Sequence, residues 1–374
     1  MKKKRIALWS VFLLAEVVRF FRLDYHSLWL DEVVTFHDAA HSWREIPSVL
    51  VSYPPVWAYI THLFYILFGR SDFWLRVPAA LIGTLTVPLI YWVAKRFYGE
   101  RAAFWAGLLM AVSVFDVMYS QEVRMYTLLA FEAILSMYLW TQAIETREMR
   151  YWFYYGVVSL VGLYTHNWFP FLVLTQGIWW LGMRLRQVNF DRREIGVLLG
   201  IAVLYSPWLF MLKKQIALPV YQHMHAPGWK DIRETFYAYA GIRVPSGESW
   251  VGVGADARFP LLLISLGFLF WGLYFPDETR PRAIRTFLVG CFFPVSAAFI
   301  ISVLAKPIYL PGRYPIMGLP AYLLTVGRGF SRITERWRKA AACLGVLWIA
   351  ASLFTLERYY WVYKKSRAHL INSV

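Results

Sequence analysis

A pair of adjacent carboxylates is the first group in the chain whose residue types could do chemistry. Asp31 and Glu32 stand in the stretch from Arg22 to Pro55, between the first two hydrophobic segments. A carboxylate there could accept a proton from a hydroxyl group as a general base. Asp31 could instead cap a following helix, because Asp is a favoured N-cap residue. Glu32 cannot share a helical face with its neighbour, so we expect it to orient other groups or to bind sugar rather than to act as a second base, unless it is only a solvated charge.

A second polar cluster, residues 116–126, separates two later hydrophobic segments. Charged groups at membrane depth are costly and usually functional, whereas at a membrane interface their cost is small. Glu122 could therefore bind a metal ion or a ligand head group, and Arg124 could bind phosphate, unless the two form an interfacial ion pair. Asp116 is expected to be a loop residue or a helix cap. His166, in a later connection, is either a ligand contact or an ordinary interfacial histidine.

Basic and aromatic candidates complete the set. Arg313 could bind phosphate, because a guanidinium matches two phosphate oxygens at once; alternatively its long side chain reaches out to the membrane interface. Lys306 is a second candidate for the same role. Tyr53 could stack on a ligand or anchor the chain at an interface. His223 and His225 could bind a metal ion, but a single His pair in a loop is a weak signal.

The composition is that of a helical membrane protein. Of the 374 residues, 59% are hydrophobic and 17% are charged, against about half and about a quarter in soluble domains. The excess occurs in runs of about 20 residues, which matches the thickness of a bilayer core. These runs are too long and too uniformly apolar for the alternating strands of a barrel. The 19 Trp and 24 Tyr residues suit a protein with two water–lipid interfaces.

The net charge of +16 does not predict nucleic-acid binding. The basic residues lie mostly in short connections between apolar runs, as the positive-inside rule predicts for cytoplasmic connections. Cys291 and Cys343 both lie within apolar runs, so they predict neither a disulfide framework nor a metal cluster. The basic start, Met1 to Arg5, resembles a signal peptide, but no small-residue cleavage site follows it. We therefore expect a retained first helix.

Eleven membrane spans are predicted, with the N-terminus in the cytoplasm. They cover residues 6–21, 73–94, 102–115, 127–144, 151–164, 168–183, 195–212, 260–275, 286–304, 315–326 and 341–356. The first outer loop, residues 22–72, is expected to carry two juxtamembrane helices, one after Asp31 and one after Pro54-Pro55. The second outer loop covers residues 213–259. This count places the C-terminal tail outside, although its basic charges favour the inside.

The predicted topology brings every candidate residue to one side. The loop that holds Asp31, the cluster around Glu122, His166, the second outer loop and Arg313 all lie outside, whereas the cytoplasmic connections are short and basic. A site on the outer face has no access to cytoplasmic nucleotide sugars or ATP. The sequence also contains no glycine-rich loop of the P-loop or dinucleotide-binding type.

An ordered series of motifs in the chain resembles a known superfamily. The motifs are Arg22-Leu23-Asp24, Ser27-Leu28-Trp29-Leu30-Asp31-Glu32, Tyr53-Pro54-Pro55, Phe68-Gly69, Leu75-Arg76-Val77-Pro78, Ser120-Gln121-Glu122-Val123-Arg124-Met125-Tyr126 and Tyr164-Thr165-His166. The chain resembles the GT-C glycosyltransferases, and within them the branch of the dolichyl-phosphate-mannose protein mannosyltransferases and the aminoarabinose transferase of lipid A. The resemblance covers about residues 5–180 and returns at Pro311-Gly312-Arg313-Tyr314-Pro315.

The resemblance implies a single all-α integral membrane domain over residues 1–374 that transfers a monosaccharide from a polyprenyl phosphate to an acceptor hydroxyl. Transfer would occur at the outer face of the cytoplasmic membrane, with inversion and with Asp31 as the base. A divalent metal is the one cofactor considered, with Glu122 and His166 as candidate ligands. The implied partners are the lipid-linked donor, a glycan or lipid acceptor and membrane lipids, without nucleic acid. Donor or substrate contacts would come from Glu32, Tyr53, Glu122, Arg124, His166, Lys306 and Arg313.

The chain departs from the superfamily pattern in two ways. Tyr53 stands where the aminoarabinose branch has a lysine before its Pro-Pro pair, which removes a donor-phosphate contact and argues against aminoarabinose. The soluble domains of longer members have no counterpart in the sequence, which argues against a protein acceptor. The alternatives are a transporter or flippase of lipid-linked sugars and a non-catalytic membrane scaffold. A transporter would need polar residues paired deep in several spans or unwound helices related by a repeat, and the sequence shows neither.

Overall fold

The structure, a computed structural model, describes residues 2–50, 52–187, 191–216, 226–246, 249–274, 281–305 and 307–363. Its helices are α1 (Lys2–Phe20), α2 (Leu30–Ala39), α3 (Ile46–Val49), α4 (Val56–Phe68), α5 (Asp72–Tyr98), α6 (Glu100–Ala111), α7 (Val114–Ser120), α8 (Tyr126–Thr146), α9 (Met149–Leu163), α10 (Phe169–Gln187), α11 (Arg192–Ile216), α12 (Trp229–Tyr239), α13 (Ala255–Tyr274), α14 (Pro281–Leu304), α15 (Leu319–Arg336) and α16 (Arg338–Arg358). A short 3₁₀ helix, Tyr314–Gly318, precedes α15, and a π-helical turn, Tyr359–Tyr363, follows α16.

The helices form the membrane bundle that the sequence predicts. Helix α15 packs on α6 and α13, α5 packs on α6 and α8, and α8 packs on α9. Among the described residues, five helices are long and apolar enough to cross a membrane, namely α5, α8, α11, α13 and α16, and α6 with α7 makes a sixth if this bent pair is one span. The remaining predicted spans also coincide with helices, but the number of eleven spans stays a prediction.

The first outer loop contains the two predicted helices, α2 and α4, and a short helix between them, α3, that was not predicted. The N-cap of α2 is Trp29, so Asp31 lies in the first turn and not at the cap position considered from the sequence. The Trp29 backbone N–H donates to the Glu32 carboxylate at 3.1 Å. This bond satisfies one of the donors that a helix start leaves without an intrahelical partner.

The second outer loop contains secondary structure that was not predicted from the sequence. Besides α12, a strand β1 (Arg243–Ser246) pairs antiparallel with a strand β2 (Ser249–Gly252). Arg243 donates to Glu234 on α12 at 2.6 Å, which ties the hairpin to that helix. The many Gly and Pro residues of this loop predicted irregular structure, so neither α12 nor the hairpin was expected from the sequence. The described part of the chain is therefore helical with one small hairpin.

The third predicted span, residues 102–115, is broken near its end. Helix α6 ends before Val112 and α7 begins at Val114, and the two helices are bent by 53°. The Arg19 guanidinium on α1 crosses the break, because it donates to the Met110 carbonyl at 3.0 Å and to the Asp116 carboxylate at 2.7 Å. Both charged side chains are 0% exposed. Asp116 is thus neither a simple cap nor an exposed loop residue, but the partner of a buried arginine.

Gln121 fastens the end of α7 to the end of α1. Its side-chain amide donates to the carbonyls of Arg19 and Phe21, both at 2.9 Å. Carbonyls at the C-terminus of a helix lack intrahelical partners, so this amide satisfies them. Helices α1 and α7 therefore hold the loop of residues 121–125, which carries two of the predicted site residues.

The C-terminal end of the described chain lies beside the first outer loop. The Tyr360 hydroxyl donates to the Val18 carbonyl, and the ring of Tyr360 contacts Phe21 at 5.2 Å. The Arg22 guanidinium lies 4.4 Å above the ring of Trp361. The end of α16 is therefore at the same end of the bundle as the first outer loop, as the predicted topology requires.

We predict that removing the Asp116 charge destabilises the fold, because the Arg19 guanidinium would become a buried, unpaired charge. Asp116→Asn is expected to cost about 3–5 kcal/mol, the range for breaking a buried ion pair, in unfolding experiments on the purified protein in detergent. Glu148→Gln breaks the exposed pair with Arg150 and is the matched control, with a change of at most about 1 kcal/mol. Equal stability of the two variants would contradict a structural role for the Arg19–Asp116 pair.

Candidate active site

Asp31 and Arg313 form an ion pair that a ligand can reach. The Arg313 Nη1 atom donates to Asp31 Oδ2 at 2.8 Å, and the two side chains are 36% and 26% exposed, respectively. The first turn of α2 positions Asp31. The turn before the 3₁₀ helix positions Arg313, whose backbone N–H donates to the Leu310 carbonyl at 3.0 Å. The candidate base and the candidate phosphate ligand are far apart in the sequence, and this contact brings them together in the site.

Arg124 brings a second guanidinium to the same place. Its Nη1 atom donates to the Thr35 hydroxyl at 2.8 Å and to the Asp31 backbone carbonyl at 3.3 Å. The guanidinium also lies over the rings of Tyr53 and Tyr126, at 5.4 and 5.7 Å. Burial by itself would lower the pKa of Arg124, but the Tyr126 phenol and the Asp31 carboxylate outweigh burial and raise it. Arg124 is therefore a fixed and permanently charged cation.

Glu32 points into the protein. Its side chain is 0% exposed, and its carboxylate accepts hydrogen bonds from Arg76 Nε and Nη2 (both 2.9 Å) and from the backbone N–H groups of Trp29 and Val123 (3.1 and 2.8 Å). Burial alone would raise the pKa of Glu32, but Arg76 outweighs burial and keeps it below its ordinary value. Four protein donors occupy this carboxylate, so Glu32 faces the protein and not a ligand, contrary to the expected contact with the donor or substrate. It joins α2 to α5 and to the loop before α8.

Arg76 holds the Glu32 carboxylate, and it was not predicted from the sequence as a site residue. Besides Glu32, it donates to the carbonyls of Leu23 at 3.0 Å and His26 at 2.8 Å. Helix α5 therefore holds the segment before α2 as well as α2 itself. The signal that could have found Arg76 is its position inside an otherwise apolar helix, where an arginine is costly unless it is paired.

Tyr53 supports Arg124 from within the protein. Its side chain is 2% exposed, and its ring lies under the Arg124 guanidinium. Burial and the neighbouring Asp38 carboxylate raise the pKa of Tyr53 above its ordinary value, so the phenol is neutral. Neither expected role, stacking on a ligand or anchoring at the membrane interface, suits a side chain that is this buried. The sequence could not distinguish an interfacial tyrosine from a buried one.

His166 lies beside Arg124, in the turn between α9 and α10. It is 5% exposed, and its ring contacts Tyr126 and Tyr314 at centroid distances of 5.9 and 5.2 Å. Its Nδ1 atom accepts a hydrogen bond from the Trp168 backbone N–H at 3.0 Å. Burial and, next, the charge of Arg124 lower the pKa of His166 to about 3. The imidazole is therefore neutral near pH 7.

The predicted metal ligands do not meet in a ligand set. The part of the chain that the structure describes has no group of three or more His, Cys, Asp or Glu side chains that could hold a metal ion. Glu122 is 3% exposed in the loop before α8. Lys306, His223 and His225 lie outside the described residues, so their expected roles stay predictions.

Aromatic side chains line the place where the charged groups meet. Trp29 lies 5.4 Å from the Arg313 guanidinium, and the rings of Tyr119 and Tyr126 are 4.5 Å apart. The Tyr119 hydroxyl donates to the Gly312 carbonyl. This bond ties α7 to the turn that carries Arg313.

One carboxylate and two guanidiniums define the chemistry that this site can do. The carboxylate can accept a proton, and guanidinium groups bind phosphate through paired hydrogen bonds. The carboxylate neutralises only one of the two cations, so the site attracts an anion. Four residues predicted from the sequence are brought together here, namely Asp31, Arg124, His166 and Arg313.

Part of the sequence matches a family model, and most of it matches an uncharacterized protein. Residues 52–211 match the family model described as dolichyl-phosphate-mannose-protein mannosyltransferase. An uncharacterized protein of Aquifex aeolicus (strain VF5) is 24% identical over 321 residues, which cover 81% of this chain and 60% of that protein. The chain thus spans about three fifths of this relative's length.

Two kinds of solved membrane protein share the fold. ArnT from Cupriavidus metallidurans, solved in the apo state and bound to undecaprenyl phosphate, is 20% identical with a TM-score of 0.58, over 90% of this chain and 62% of ArnT. The Archaeoglobus fulgidus oligosaccharyltransferase, solved with Zn and sulfate, is 12% identical with a TM-score of 0.54, over 97% of this chain and 53% of that protein. The resemblance predicted from the sequence is therefore confirmed: the chain has the GT-C glycosyltransferase fold and resembles the branch of the protein mannosyltransferases and ArnT.

Proposed function

We propose that the protein is a membrane glycosyltransferase that moves a monosaccharide from a polyprenyl-phosphate carrier to an acceptor hydroxyl. The observation that carries the proposal is the contact of Asp31 with Arg313 beside Arg124. It puts a carboxylate that can take a proton next to two cations that can bind a phosphate. The relatives support the same carrier chemistry, since ArnT was solved with undecaprenyl phosphate and the archaeal oligosaccharyltransferase with a dolichol phosphate.

The proposed reaction is a direct displacement at the anomeric carbon of the donor sugar. The Asp31 carboxylate takes the proton of the acceptor hydroxyl while that oxygen forms its bond to the anomeric carbon. The bond from this carbon to the phosphate oxygen breaks, and the polyprenyl phosphate leaves with the electron pair. Arg313 and Arg124 stabilise the charge that grows on the leaving phosphate. A single displacement inverts the anomeric centre.

The site is proposed to work at the outer face of the cytoplasmic membrane. Asp31, Arg124, His166 and Arg313 lie together at one end of the bundle, whereas the adjoining ends of α5 and α6, of α8 and α9, and of α10 and α11 carry the basic residues Lys95, Arg96, Arg101, Arg147, Arg150, Arg184, Arg186, Arg192 and Arg193. Basic connections favour the cytoplasmic side. A glycan or lipid hydroxyl is the proposed acceptor, because such a group can enter a partly covered site at the membrane surface.

A transporter or flippase of lipid-linked sugars is the alternative that an experiment must exclude. Purified protein in detergent is incubated with a labelled polyprenyl-phosphate sugar and a mixture of glycan and lipid acceptors. A glycosyltransferase releases polyprenyl phosphate and labels the acceptor. Transfer of intact donor across liposomes without release of polyprenyl phosphate would instead support the transporter.

We predict that Asp31→Asn lowers the rate of transfer by about 10²–10⁴-fold, the usual contribution of a general base. Expression is expected to stay near normal, and binding of the lipid donor is not expected to weaken, because Arg124 and Arg313 remain in place. The matched control is Asp24→Asn, which changes an exposed carboxylate of the same loop and should leave the rate unchanged. Full activity of Asp31→Asn would rule out its role as the base.

We predict that Arg313→Lys raises the KM for the lipid donor about tenfold or more, because an ammonium group loses the paired hydrogen bonds of a guanidinium. The KM for the acceptor is expected to stay within about twofold, since in the proposed reaction Arg313 binds the phosphate of the donor and Asp31 contacts the acceptor hydroxyl. Arg44→Ala, an exposed change in the same outer region, is the control. Equal losses for donor and acceptor would count against a phosphate role.

We predict that Glu32→Gln lowers kcat by about tenfold or more, because the buried Arg76 charge loses its partner and α2 no longer holds the base in place. Steady-state assays and donor-binding titrations measure this effect. In a protein that already carries Asp31→Asn, the same change should have almost no further effect on kcat. An equal loss in both backgrounds would mean that Glu32 does not act through Asp31.

A further inference from the structure

His166 is a rigidly held side chain with a specific orientation. Its backbone N–H donates to the Gly162 carbonyl at 3.1 Å, and its own carbonyl accepts from the Phe169 N–H at 3.0 Å. The preceding residue, Thr165, donates from its hydroxyl to Glu132 on α8 at 2.9 Å. The turn between α9 and α10 is therefore fixed to α8, and it holds the backbone of His166 in place.

The hydrogen bond at Nδ1 determines where the imidazole carries its proton. A backbone N–H can only donate, so the Nδ1 atom that accepts from Trp168 at 3.0 Å has no hydrogen of its own. A neutral imidazole then carries its hydrogen on Nε2. Among the described residues, no acceptor forms a hydrogen bond with this Nε2–H group. The side chain as a whole is 5% exposed, so this hydrogen is available to an acceptor that enters the site.

The surroundings of the imidazole favour an anion as the missing acceptor. Arg124 is close enough for its charge to act on His166, and the ring lies 5.2 Å from that of Tyr314, the residue that follows Arg313. No carboxylate among the described residues forms a hydrogen bond with the imidazole. The Nε2–H donor therefore belongs to the same electropositive site as the two guanidiniums.

A metal ion is a poor match for this imidazole. A histidine that binds a metal through one nitrogen almost always donates a hydrogen bond from the other one. Here the other nitrogen accepts, so Nε2 carries a hydrogen and has no lone pair for a metal. A metal-binding histidine would need a nitrogen that donates a hydrogen bond at this position, whereas Nδ1 of His166 accepts one from Trp168.

We propose that the neutral His166 donates its Nε2 hydrogen to a phosphate oxygen of the lipid-linked donor or of the polyprenyl-phosphate product, and that it is neither a metal ligand nor a base. This inference rests on the proposed function and makes it more specific. The phosphate would be held by two guanidiniums and one uncharged donor. No covalent step involves the imidazole.

The test is the binding of undecaprenyl phosphate to the purified full chain in detergent. His166→Phe keeps a flat ring between the tyrosines but removes the donor, and it is expected to weaken binding about 10- to 100-fold, the range for a hydrogen bond to a charged group. His166→Gln offers an amide N–H near the Nε2 position. Its expected loss of affinity, expressed as the change in log Kd, is less than about a third of the loss for His166→Phe. Undecaprenol and inorganic phosphate, tested separately, distinguish the lipid chain from the phosphate as the source of affinity.

Three outcomes would overturn the proposal. The first is a His166→Phe variant that binds undecaprenyl phosphate as tightly as the wild type. The second is wild-type binding that a chelator abolishes and zinc restores, with His166→Gln as weak as His166→Phe, which would make the imidazole a metal ligand. The third is a nitrogen NMR spectrum of His166 at pH 7 that shows the hydrogen on Nδ1; this measurement needs no variant and stays informative if the Phe substitution unfolds the protein.

The proposed function fails in a different way. A wild-type protein that neither binds undecaprenyl phosphate nor releases it from a labelled sugar donor would refute both ideas together. A wild-type protein that does both, with His166→Phe unaffected, would refute only the role of His166.

Discussion

The buried ion pair of Glu32 and Arg76 is the interaction on which the rest of the site depends. Both side chains are 0% exposed, and a buried charge is tolerated only when partners satisfy it. Four donors around one carboxylate leave α2 a single orientation. Adjacent residues on a helix point about 100° apart, so turning Glu32 inward turns Asp31 toward Arg313. The orientation of Asp31 thus follows from the hydrogen bonds that hold the carboxylate of its neighbour, Glu32.

Buried charges also hold the segment that carries Arg124. The buried Arg19–Asp116 pair holds the break between α6 and α7, and Gln121 then joins α7 to the end of α1. The loop that follows carries Arg124. The Val123 backbone N–H of this loop donates to Glu32 at 2.8 Å, so the loop and α2 meet at the Glu32 carboxylate. A site with two cations can therefore be held rigid by charges that never contact a ligand.

The sequence predicted the parts of this site that depend on residue type and on topology. The helices of the first outer loop, the membrane bundle and the grouping of Asp31, Arg124 and Arg313 follow from apolar periodicity and from charges at one side. The roles of Glu32 and Tyr53 do not, because burial depends on partners that lie far along the chain: Arg76 is 44 residues from Glu32. Helix α12 and the hairpin were missed for another reason, since turn-forming residues conceal short elements between them.

The Asp31–Arg313 contact links donor binding to the availability of the base. In the structure, the carboxylate and the guanidinium satisfy each other at 2.8 Å. A phosphate is a stronger bidentate partner for a guanidinium than a single carboxylate oxygen, so on the proposed function the incoming donor competes for Arg313. As the donor phosphate takes over these hydrogen bonds, Asp31 is left free to accept a proton. Part of the binding energy of the lipid-linked donor would then be used to expose the base at the moment when a substrate is present.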